Sequence, residues 1–318
     1  MTKDKIKKIL IIRFSSIGDI VLTTPVIRCV KEQLNCEVHF LTKKSFESIL
    51  IFNPHLDKIY TIDKKVSEVL PQLKSEKYHA IIDLHKNLRT LQVRWALRVP
   101  YYSFDKLNWE KWLMVNFKIN RLPKIHIVDR YMNAVKALGV TYDGKGLELM
   151  KTAKQPLLDK IVFAIGGAHA TKRLPISKII SICSKIQSPI ILLGGKEDAT
   201  IGEEIVSNIG ENRVINMCGK TTLQESMQLI KNASKVITHD TGMMHIAAAF
   251  QKEIISIWGN TIPEFGMTPY YADGIDRNTI IQVENLSCRP CSKIGFEKCP
   301  KGHFKCMMEI DENEIVNS

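Results

Sequence analysis

Residues 8–19 read Lys8-Ile-Leu-Ile-Ile-Arg-Phe14 and then Ser15-Ser-Ile-Gly-Asp19, an apolar run followed by a turn. The run is typical of a buried strand, and the residues from the turn to Leu34 follow a helical pattern. Three further apolar runs, each separated from the next by a candidate helix, lie at residues 37–42, 58–63 and 79–84. This alternation predicts right-handed βαβ units and a parallel sheet.

The same alternation starts again at residue 160. Strand-like runs occupy residues 160–166, 189–194, 235–240 and 253–258, with helical patterns at residues 176–186, 196–209 and 222–232. We therefore expect an α/β protein with two doubly wound, Rossmann-like domains joined near residues 150–158. The amino-terminal domain is predicted over residues 1–152. The carboxy-terminal domain, which ends in a Cys-rich segment, is predicted over residues 153–318.

Composition excludes several classes of protein. The 318 residues are 45% hydrophobic and 25% charged, as in soluble globular proteins, which excludes disordered and fibrous chains. Lysine and arginine (45) exceed aspartate and glutamate (33), and the net charge of +12 favours an anionic partner, whether nucleic acid, a membrane surface or a phosphorylated substrate. No apolar run near the start approaches the ~20 residues of a spanning helix and no signal peptide is visible, so we expect a cytoplasmic protein.

Ligands in open α/β sheets bind beyond the carboxyl ends of the strands, so the loops that follow the strands are the most informative. Asp19, which follows the first strand, has two interpretations. With Ser16 as N-cap it approximates a capping box, and as a carboxylate at a strand-to-helix turn it can accept a proton from a substrate hydroxyl. The helix amino terminus would keep Asp19 ionised, and the two interpretations are compatible.

In the predicted carboxy-terminal domain, the loop after the first strand contains two glycines, Gly166 and Gly167, and the run Thr171-Lys172-Arg173. Glycines beside cations and before a helix suit a phosphate or diphosphate, although a solvated basic turn explains this loop equally well. Glu197 follows the next strand. A carboxylate there can hold ribose hydroxyls, or it can occupy the acid-rich first turn of a helix.

The run at residues 235–240 leads into His239-Asp-Thr-Gly-Met-Met-His245. Asp240 or Thr241 can cap the helix that follows, whose first N–H groups would point at an anion. The two histidines each fit a protein core when taken alone, but their place at a strand end in the domain of Lys172 favours a binding site. Neither a P-loop nor a GxGxxG turn follows the first strand of either domain, which weighs against a dinucleotide-dependent dehydrogenase.

Four segments together resemble glycosyltransferase family 9, the ADP-heptose:lipopolysaccharide heptosyltransferases, over nearly the whole chain. They are residues 13–25, Thr171-Lys-Arg-Leu-Pro175, Gly194-Gly-Lys-Glu197 and Asp240-Thr-Gly-Met-Met-His245. The resemblance implies a GT-B fold whose two domains face a cleft, with the acceptor bound mainly by the first domain and the nucleotide-sugar by the second. It also implies an inverting transfer of heptose from ADP-heptose to the inner core of lipopolysaccharide, with no metal or other cofactor required.

The resemblance assigns roles to individual residues. Asp19 matches the catalytic base, Lys172 a diphosphate contact, Glu197 a ribose contact and Asp240 the residue that touches the donor sugar. Further donor-binding residues expected from the same loops are Thr171, Arg173, Thr241, Gly242 and His245, and the expected acceptor-side residues are Ser16, Gly18, Arg89 and Arg94. Leu174 departs from the pattern, because many relatives have tryptophan there, and we expect a change in packing rather than in charge.

Four of the eight cysteines lie near the carboxyl end. Cys288, Cys291, Cys299, His303 and Cys306 form the pattern C-x2-C-x7-C-x3-H-x2-C. Such a set suits a tetrahedral structural zinc site, and reduced thiols in a compact loop are the other interpretation. Disulfides are not expected in a cytoplasmic protein.

A basic stretch with interleaved tryptophans runs from residue 86 to residue 124, where nine lysines and arginines accompany only two acidic residues. A solvated helix face is the ordinary explanation. The other is a surface that meets anionic lipid headgroups or the phosphates of a lipid-A-type acceptor, which would place the protein peripherally on the inner face of the inner membrane.

Two alternative functions are consistent with the sequence. The first is a family 9 enzyme that uses another nucleotide-sugar or builds another glycan. The second is a basic nucleic-acid-binding protein with a zinc knuckle. We expect no nucleic-acid partner, because the cations are not confined to the cysteine segment and two α/β domains account for more of the chain.

Overall fold

The computed structural model describes residues 6–150 and 159–318. These residues form two compact units, the first from residues 6–106, 125–150 and 272–274 and the second from residues 107–124, 159–271 and 275–318. The expected boundary after residue 152 and most of the expected joint at residues 150–158 lie outside the described residues. Residues 107–124 belong to the second unit, although the sequence boundary placed them in the amino-terminal domain.

Each unit is built on a parallel sheet. The strands are β1 (Lys8–Ile12), β2 (Glu37–Lys43), β3 (Lys58–Ile62), β4 (Ala80–Asp83), β5 (Tyr101–Ser103), β6 (Ile161–Ala164), β7 (Ile190–Leu193), β8 (Val214–Asn216), β9 (Lys235–His239), β10 (Glu253–Trp258) and β11 (Asn278–Gln282). The order is β3-β2-β1-β4-β5 in the first sheet and β11-β10-β9-β6-β7-β8 in the second. The prediction of an α/β protein with two Rossmann-like domains is confirmed.

Helices connect the strands. They are α1 (Ile17–Val21), α2 (Thr24–Leu34), α3 (Leu70–Ser75), α4 (Leu88–Leu97), α5 (Asn108–Phe117), α6 (Ile127–Val135), α7 (Ile176–Lys185), α8 (Ala199–Ile209), α9 (Leu223–Asn232), α10 (Gly242–Ala249), α11 (Lys305–Met308) and α12 (Glu312–Asn317). Among the described residues, no helix has both the length and the apolar character needed to cross a membrane.

The apolar runs of the sequence form the cores of the two units. Ile9 to Ile12 of β1 are completely buried, as expected of a parallel strand covered on both faces. The core of the second unit includes Phe163, Ile237 and Ile257 from three adjacent strands, and Met307 from α11 packs in the same core. The carboxy-terminal segment is therefore an integral part of the second unit.

Three strands were not predicted from the sequence: β5, β8 and β11. All three are edge strands. β5 and β8 have only three residues each, and two of the five residues of β11 are exposed. Short edge strands with one open side lack the continuous apolar run by which the central strands were recognised.

Strand register brings the functional loops together within each unit. Ile12 of β1 pairs with Asp83 of β4, so the loops after these two strands start side by side. In the second sheet, Ala164 of β6 pairs with Leu193 on one side and Thr238 on the other. The loops after β6, β7, β9 and β10 consequently follow one another along a single edge of that sheet.

Candidate functional site

Asp19 lies in α1, immediately after the turn that follows β1. Its Oδ2 accepts hydrogen bonds from the backbone N–H of Ser16 at 3.1 Å and from the Ser16 hydroxyl at 2.8 Å. About a fifth of the Asp19 side chain is exposed, so the carboxylate remains accessible. Ser16 is exposed and Gly18, the second residue of α1, is buried. The structure thus combines the helix-start geometry with an accessible carboxylate.

Arg13 holds the other oxygen of the same carboxylate. Its Nη2 lies 2.6 Å from Asp19 Oδ1, while its Nε donates to the Ser15 carbonyl at 2.7 Å and its Nη1 to the Tyr131 hydroxyl at 3.1 Å. Burial alone would raise the pKa of Asp19, but the Arg13 charge and the two Ser16 hydrogen bonds outweigh it and hold that pKa below its ordinary value. Asp19 is therefore ionised at neutral pH, as a proton acceptor must be.

The loop after β4 lies beside this carboxylate. The buried Asp83 shapes it, because its Oδ1 accepts from the backbone N–H groups of His85 at 3.0 Å and Lys86 at 2.7 Å. The His85 ring meets the Phe14 ring edge-on with centroids 5.3 Å apart. Sequence reasoning missed His85, although its position directly after a central strand was a usable signal.

The two arginines expected on the acceptor side behave differently. Both lie on α4, and Arg89 is close enough to His85 to affect its charge state. The Arg94 guanidinium carbon lies 3.1 Å from the centroid of the Tyr101 ring, so this arginine stacks on β5. Five residues along a helix correspond to a rotation of about 140°, which directs the two side chains to different faces. Of the two, Arg89 is the one that lies near the loop after β4.

The loops of the second unit that are expected to bind the donor meet at Lys172 and Asp240. Lys172 Nζ lies 2.6 Å from Asp240 Oδ2 and 3.1 Å from the Asp240 carbonyl oxygen. The Thr261 hydroxyl donates to the same Oδ2 at 2.7 Å, from the loop after β10. Sequence reasoning did not identify Thr261, which follows a predicted strand but belongs to no recognised motif.

A second ion pair, between Arg173 and Asp198, lies along the same edge of the sheet. Arg173 Nη1 lies 3.0 Å from Oδ1 of Asp198, a buried residue whose Oδ2 accepts from the Gly195 N–H at 2.8 Å. Glu197, next to Asp198, is exposed, and none of the described residues contacts its carboxylate through a hydrogen bond or ion pair. Glu197 is consequently available for a ligand, whereas Arg173 is engaged by Asp198.

Asp240 is followed by the start of α10. Thr241 occupies the N-cap position and Gly242 is the first helical residue. His245 is buried on α10, and His239 is buried at the end of β9, where its Nε2 accepts from the Leu174 N–H at 3.0 Å. Burial lowers the pKa of His239 to about 4, so it is a neutral core residue.

Leu174 and Thr171 both belong to the framework around these loops. Leu174 is buried in the core of the second unit. Thr171 is also buried, and its hydroxyl donates to the Phe296 carbonyl at 3.1 Å and accepts from the Phe296 N–H at 2.8 Å. The Thr171 hydroxyl thus joins the loop of Lys172 to the Cys-rich segment.

The Cys-rich segment has further attachments to this edge. The Cys291 N–H donates to the Asn260 carbonyl at 3.1 Å, and Arg289 Nη2 donates to the Thr261 carbonyl at 2.9 Å. Among the described residues, however, no three donor atoms of the five predicted metal ligands lie within 4.8 Å of one another. Burial raises the pKa of Cys291 to about 11 and that of Cys306 to about 12, which favours the protonated thiols.

Another group of metal-type ligands lies at the opposite end of the first sheet. Ligand atoms of Glu37, His39 and Glu76 all lie within 4.8 Å of one another. Lys8 Nζ lies 2.6 Å from Glu76 and 2.9 Å from Glu37, and Lys58 Nζ lies 2.7 Å from Glu76. The lysine ammonium groups hold the carboxylates that a cation would need, so this is an ion-pair network.

The basic, aromatic stretch contains an exposed helix in the second unit. No residue of α5 is buried. Trp109 and Trp112 stack with ring centroids 5.0 Å apart, and Phe117 meets Trp112 edge-on at 5.2 Å. Trp95 of α4, in the first unit, is 72% exposed. These aromatic side chains therefore lie on the surfaces of their units.

Comparison with solved structures identifies the fold. The glycosyl transferase of family 9 from Veillonella parvula matches with a TM-score of 0.76 at 22% identity, covering 100% of this chain and 96% of that one. The E. coli ADP-heptose lipopolysaccharide heptosyltransferase II matches with a TM-score of 0.73 at 16% identity, covering 98% and 96%. The protein therefore has the GT-B fold of these glycosyltransferases.

Sequence comparison is more specific. The pattern of glycosyltransferase family 9 (heptosyltransferase) matches residues 66–299. Lipopolysaccharide heptosyltransferase 1 of Campylobacter coli is 26% identical, with 97% of each chain covered. The chain belongs to glycosyltransferase family 9, and it is a glycosyltransferase enzyme.

Proposed function

We propose that the protein transfers a heptose from ADP-heptose to an inner-core acceptor of lipopolysaccharide, by a single inverting displacement that needs no metal. The names of its full-length relative and of the E. coli neighbour support the donor and acceptor. The observation that carries the proposal is the pairing of Lys172 with Asp240 at the start of α10. This pair brings a cation and a carboxylate together at the amino terminus of a helix, along one edge of the sheet.

On the donor side, we assign the diphosphate to Lys172 and to the N–H groups at the start of α10. An incoming diphosphate would replace Asp240 as the partner of Lys172. A diphosphate carries more negative charge than one carboxylate and can accept more than one hydrogen bond from the ammonium group. Asp240, still held by Thr261, would then accept hydrogen bonds from the hydroxyls of the sugar. Glu197 would accept from the ribose hydroxyls, for which its carboxylate is free within the described residues.

On the acceptor side, we assign proton transfer to Asp19. As the acceptor oxygen bonds to the anomeric carbon, the bond from that carbon to the diphosphate breaks, and the hydroxyl proton passes to the carboxylate. The low proton affinity of Asp19 suits a late transfer, when bond formation has made the hydroxyl acidic. Lys172 and the helix amino terminus stabilise the departing diphosphate, which is the role a divalent cation has in other enzymes.

The experiment uses the purified full chain and a lipopolysaccharide acceptor that lacks heptose. ADP release and a mass increase of one heptose per acceptor are expected with ADP-heptose, with little turnover of UDP-, GDP- or other ADP-sugars. Faster turnover of another nucleotide-sugar would replace this proposal with a family 9 enzyme of different specificity. The stereochemistry of the product, read by NMR, tests inversion. Activity that is the same with and without added Mg²⁺ or Mn²⁺ tests independence from a catalytic divalent cation.

We also propose that the enzyme works at the cytoplasmic face of the inner membrane, with α5 against the lipid. The support is an exposed helix with three interacting aromatic side chains, followed by the exposed cations Arg121 and Lys124. Aromatic rings at the headgroup level together with nearby cations are the features of an interfacial, anionic-lipid-binding helix.

For the Cys-rich segment, we propose a structural metal held by Cys288, Cys291, Cys299 and Cys306, with His303 as an alternative ligand. The charge of Cys306 is influenced by the other three thiols, so the four are neighbours. Sulfurs around a tetrahedral zinc lie roughly 3.8 Å apart, so binding would draw these thiols closer together and deprotonate them. The metal would stabilise the segment that holds Thr171 and Thr261 and would take no part in the reaction.

A further inference from the structure

His85 is a second functional candidate beside Asp19, and it has no assigned role. The pairing of Ile12 with Asp83 starts the loops of Asp19 and His85 side by side. The Leu84 N–H donates to the Ile12 carbonyl at 3.1 Å, and an Arg13 N–H donates to the Leu84 carbonyl, so the two loops are fixed to each other. His85 is thus held rigidly next to the proton acceptor.

The imidazole lacks the partners that a purely structural histidine would have. Its Nδ1 is enclosed and makes no hydrogen bond within the described residues. No hydrogen bond to Nε2 is found there either, and Nε2 is not among the enclosed atoms, so this nitrogen reaches solvent. Nε2 is therefore the ring nitrogen that a ligand can reach, and it lies in the loop beside the carboxylate assigned as proton acceptor.

The surroundings fix the charge of the ring. The pKa of His85 is lowered to about 4, mainly by burial and in addition by the charges of Arg13, Lys106 and Arg89, while the Asp19 charge acts in the opposite direction. The imidazole is therefore neutral at physiological pH. The nearby cations favour the tautomer whose enclosed Nδ1 has a lone pair and no proton. In this tautomer the solvent-facing Nε2 carries the N–H.

We infer that His85 is an acceptor-binding residue, whose Nε2–H donates to a sugar oxygen next to the attacking hydroxyl and so orients that hydroxyl toward Asp19. This inference rests on the proposed function. The division of labour follows from the two environments. Asp19 is an accessible anion and receives the proton, whereas His85 is a neutral hydrogen-bond donor and orients the sugar acceptor.

Two variants of similar size separate this role from a structural one. His85→Gln keeps an N–H near the position of Nε2 and cannot act as a base, while His85→Leu keeps the packing against Phe14 and has no hydrogen-bonding group. The matched control is His79→Leu. His79 lies just before the same strand, at its opposite end, and also has an enclosed Nδ1 without a partner in the described chain.

The measurement is steady-state kinetics with ADP-heptose and the heptose-free acceptor, with melting temperatures to confirm folding. Loss of one neutral hydrogen bond predicts that His85→Leu lowers kcat/KM for the acceptor by roughly 3- to 10-fold. The KM for ADP-heptose should stay within about twofold, His85→Gln should recover most of the loss, and His79→Leu should behave as wild type.

Two results would overturn the inference. If His85→Leu turns over the acceptor as wild type does, the residue does not touch the acceptor. If His85→Gln loses as much activity as removal of Asp19, His85 is the proton acceptor. Failure of the wild-type protein to transfer heptose at all would refute the proposed function instead, so the two failures are distinguishable.

Discussion

Nη2 of Arg13 lies 2.6 Å from Oδ1 of Asp19, and Arg13 directly follows β1, three residues before the N-cap of α1. One short segment therefore supplies both the carboxylate and the cation that keeps it ionised. The guanidinium also donates hydrogen bonds to the Tyr131 hydroxyl and to backbone carbonyls, so its position is fixed, unlike that of a flexible cation on the surface. This arrangement fixes the position of the carboxylate and lowers its basicity.

The first prediction concerns the carboxylate itself. Asp19→Asn keeps the shape of the side chain and removes its ability to accept a proton, so kcat should fall by about 100- to 10,000-fold. ADP-heptose affinity, measured by calorimetry, should be unchanged. Asp57→Asn is the control, because Asp57 is also paired to a cation, Lys31 at 2.7 Å, and accepts a backbone N–H. Unaltered turnover in Asp19→Asn would remove Asp19 from the mechanism.

The second prediction concerns pH. In the wild type the pKa of Asp19 is held below its ordinary value, so kcat/KM should be flat between about pH 5 and 8. In Arg13→Met the lowering charge is gone, while burial and the two Ser16 hydrogen bonds remain, so the pKa of Asp19 should rise above its wild-type value. Activity should then be lost as pH falls through this higher value. Arg13→Lys keeps the charge and should keep a flatter profile; identical profiles for all three proteins would contradict the role of Arg13.

The third prediction concerns the donor. Lys172→Ala removes a charged hydrogen-bond donor and leaves the Asp240 carboxylate facing the diphosphate, so ADP-heptose affinity should fall by roughly 10- to 150-fold. Lys172→Arg should recover part of the affinity. Lys220→Ala provides the control, because Lys220 pairs with Glu203 on the exposed surface of the same unit. Calorimetry that shows equal affinity for Lys172→Ala and wild type would exclude Lys172 from the diphosphate site.

The sequence predicted the central strands because parallel strands buried on both faces are continuous apolar runs. It missed the edge strands β5, β8 and β11, which have an open side and weak patterning. It also assigned residues 107–124 to the amino-terminal domain by their place in the chain, whereas contacts such as that of Lys118 Nζ with the Pro290 carbonyl at 2.7 Å hold this segment to the second unit. Such long-range contacts leave no local signal.

Site residues could be predicted where a loop had a recognisable motif, and their roles stay predictions. Asp19, Lys172 and Asp240 lie in such loops, and the structure brings the last two together. Thr261 and His85 were missed because a single polar residue after a strand is common, and only the register of neighbouring strands shows what it faces. Thr171 was expected to bind the donor, but its hydroxyl is engaged by Phe296, a partner 125 residues away.

The fourth prediction concerns the thiols. Purified under reducing conditions, the full chain should contain about one zinc or iron per molecule by elemental analysis. Cys291→Ser combined with Cys306→Ser should abolish the metal, and Cys36→Ser, a buried cysteine of the first unit, should retain it. Donor affinity should fall with the metal, because the segment is attached to Thr171 and Thr261. If the wild-type protein contains no metal after growth in zinc- and iron-supplemented medium, the proposed metal site is wrong and these cysteines are reduced thiols.

The fifth prediction concerns the lipid surface. Vesicles that contain phosphatidylglycerol should sediment the protein, and vesicles of phosphatidylcholine alone should sediment it far less, since the attraction is partly electrostatic. Replacing both Trp109 and Trp112 with serine should lower binding at least tenfold, because both rings are exposed and their apolar area would enter the headgroup region. Phe52→Ser is the matched control, as Phe52 is 56% exposed and lies in the first unit. Activity on a detergent-solubilised acceptor, which needs no bilayer, should be nearly unchanged in the tryptophan variant. Equal sedimentation of that variant and of wild type would mean that α5 does not contact the membrane.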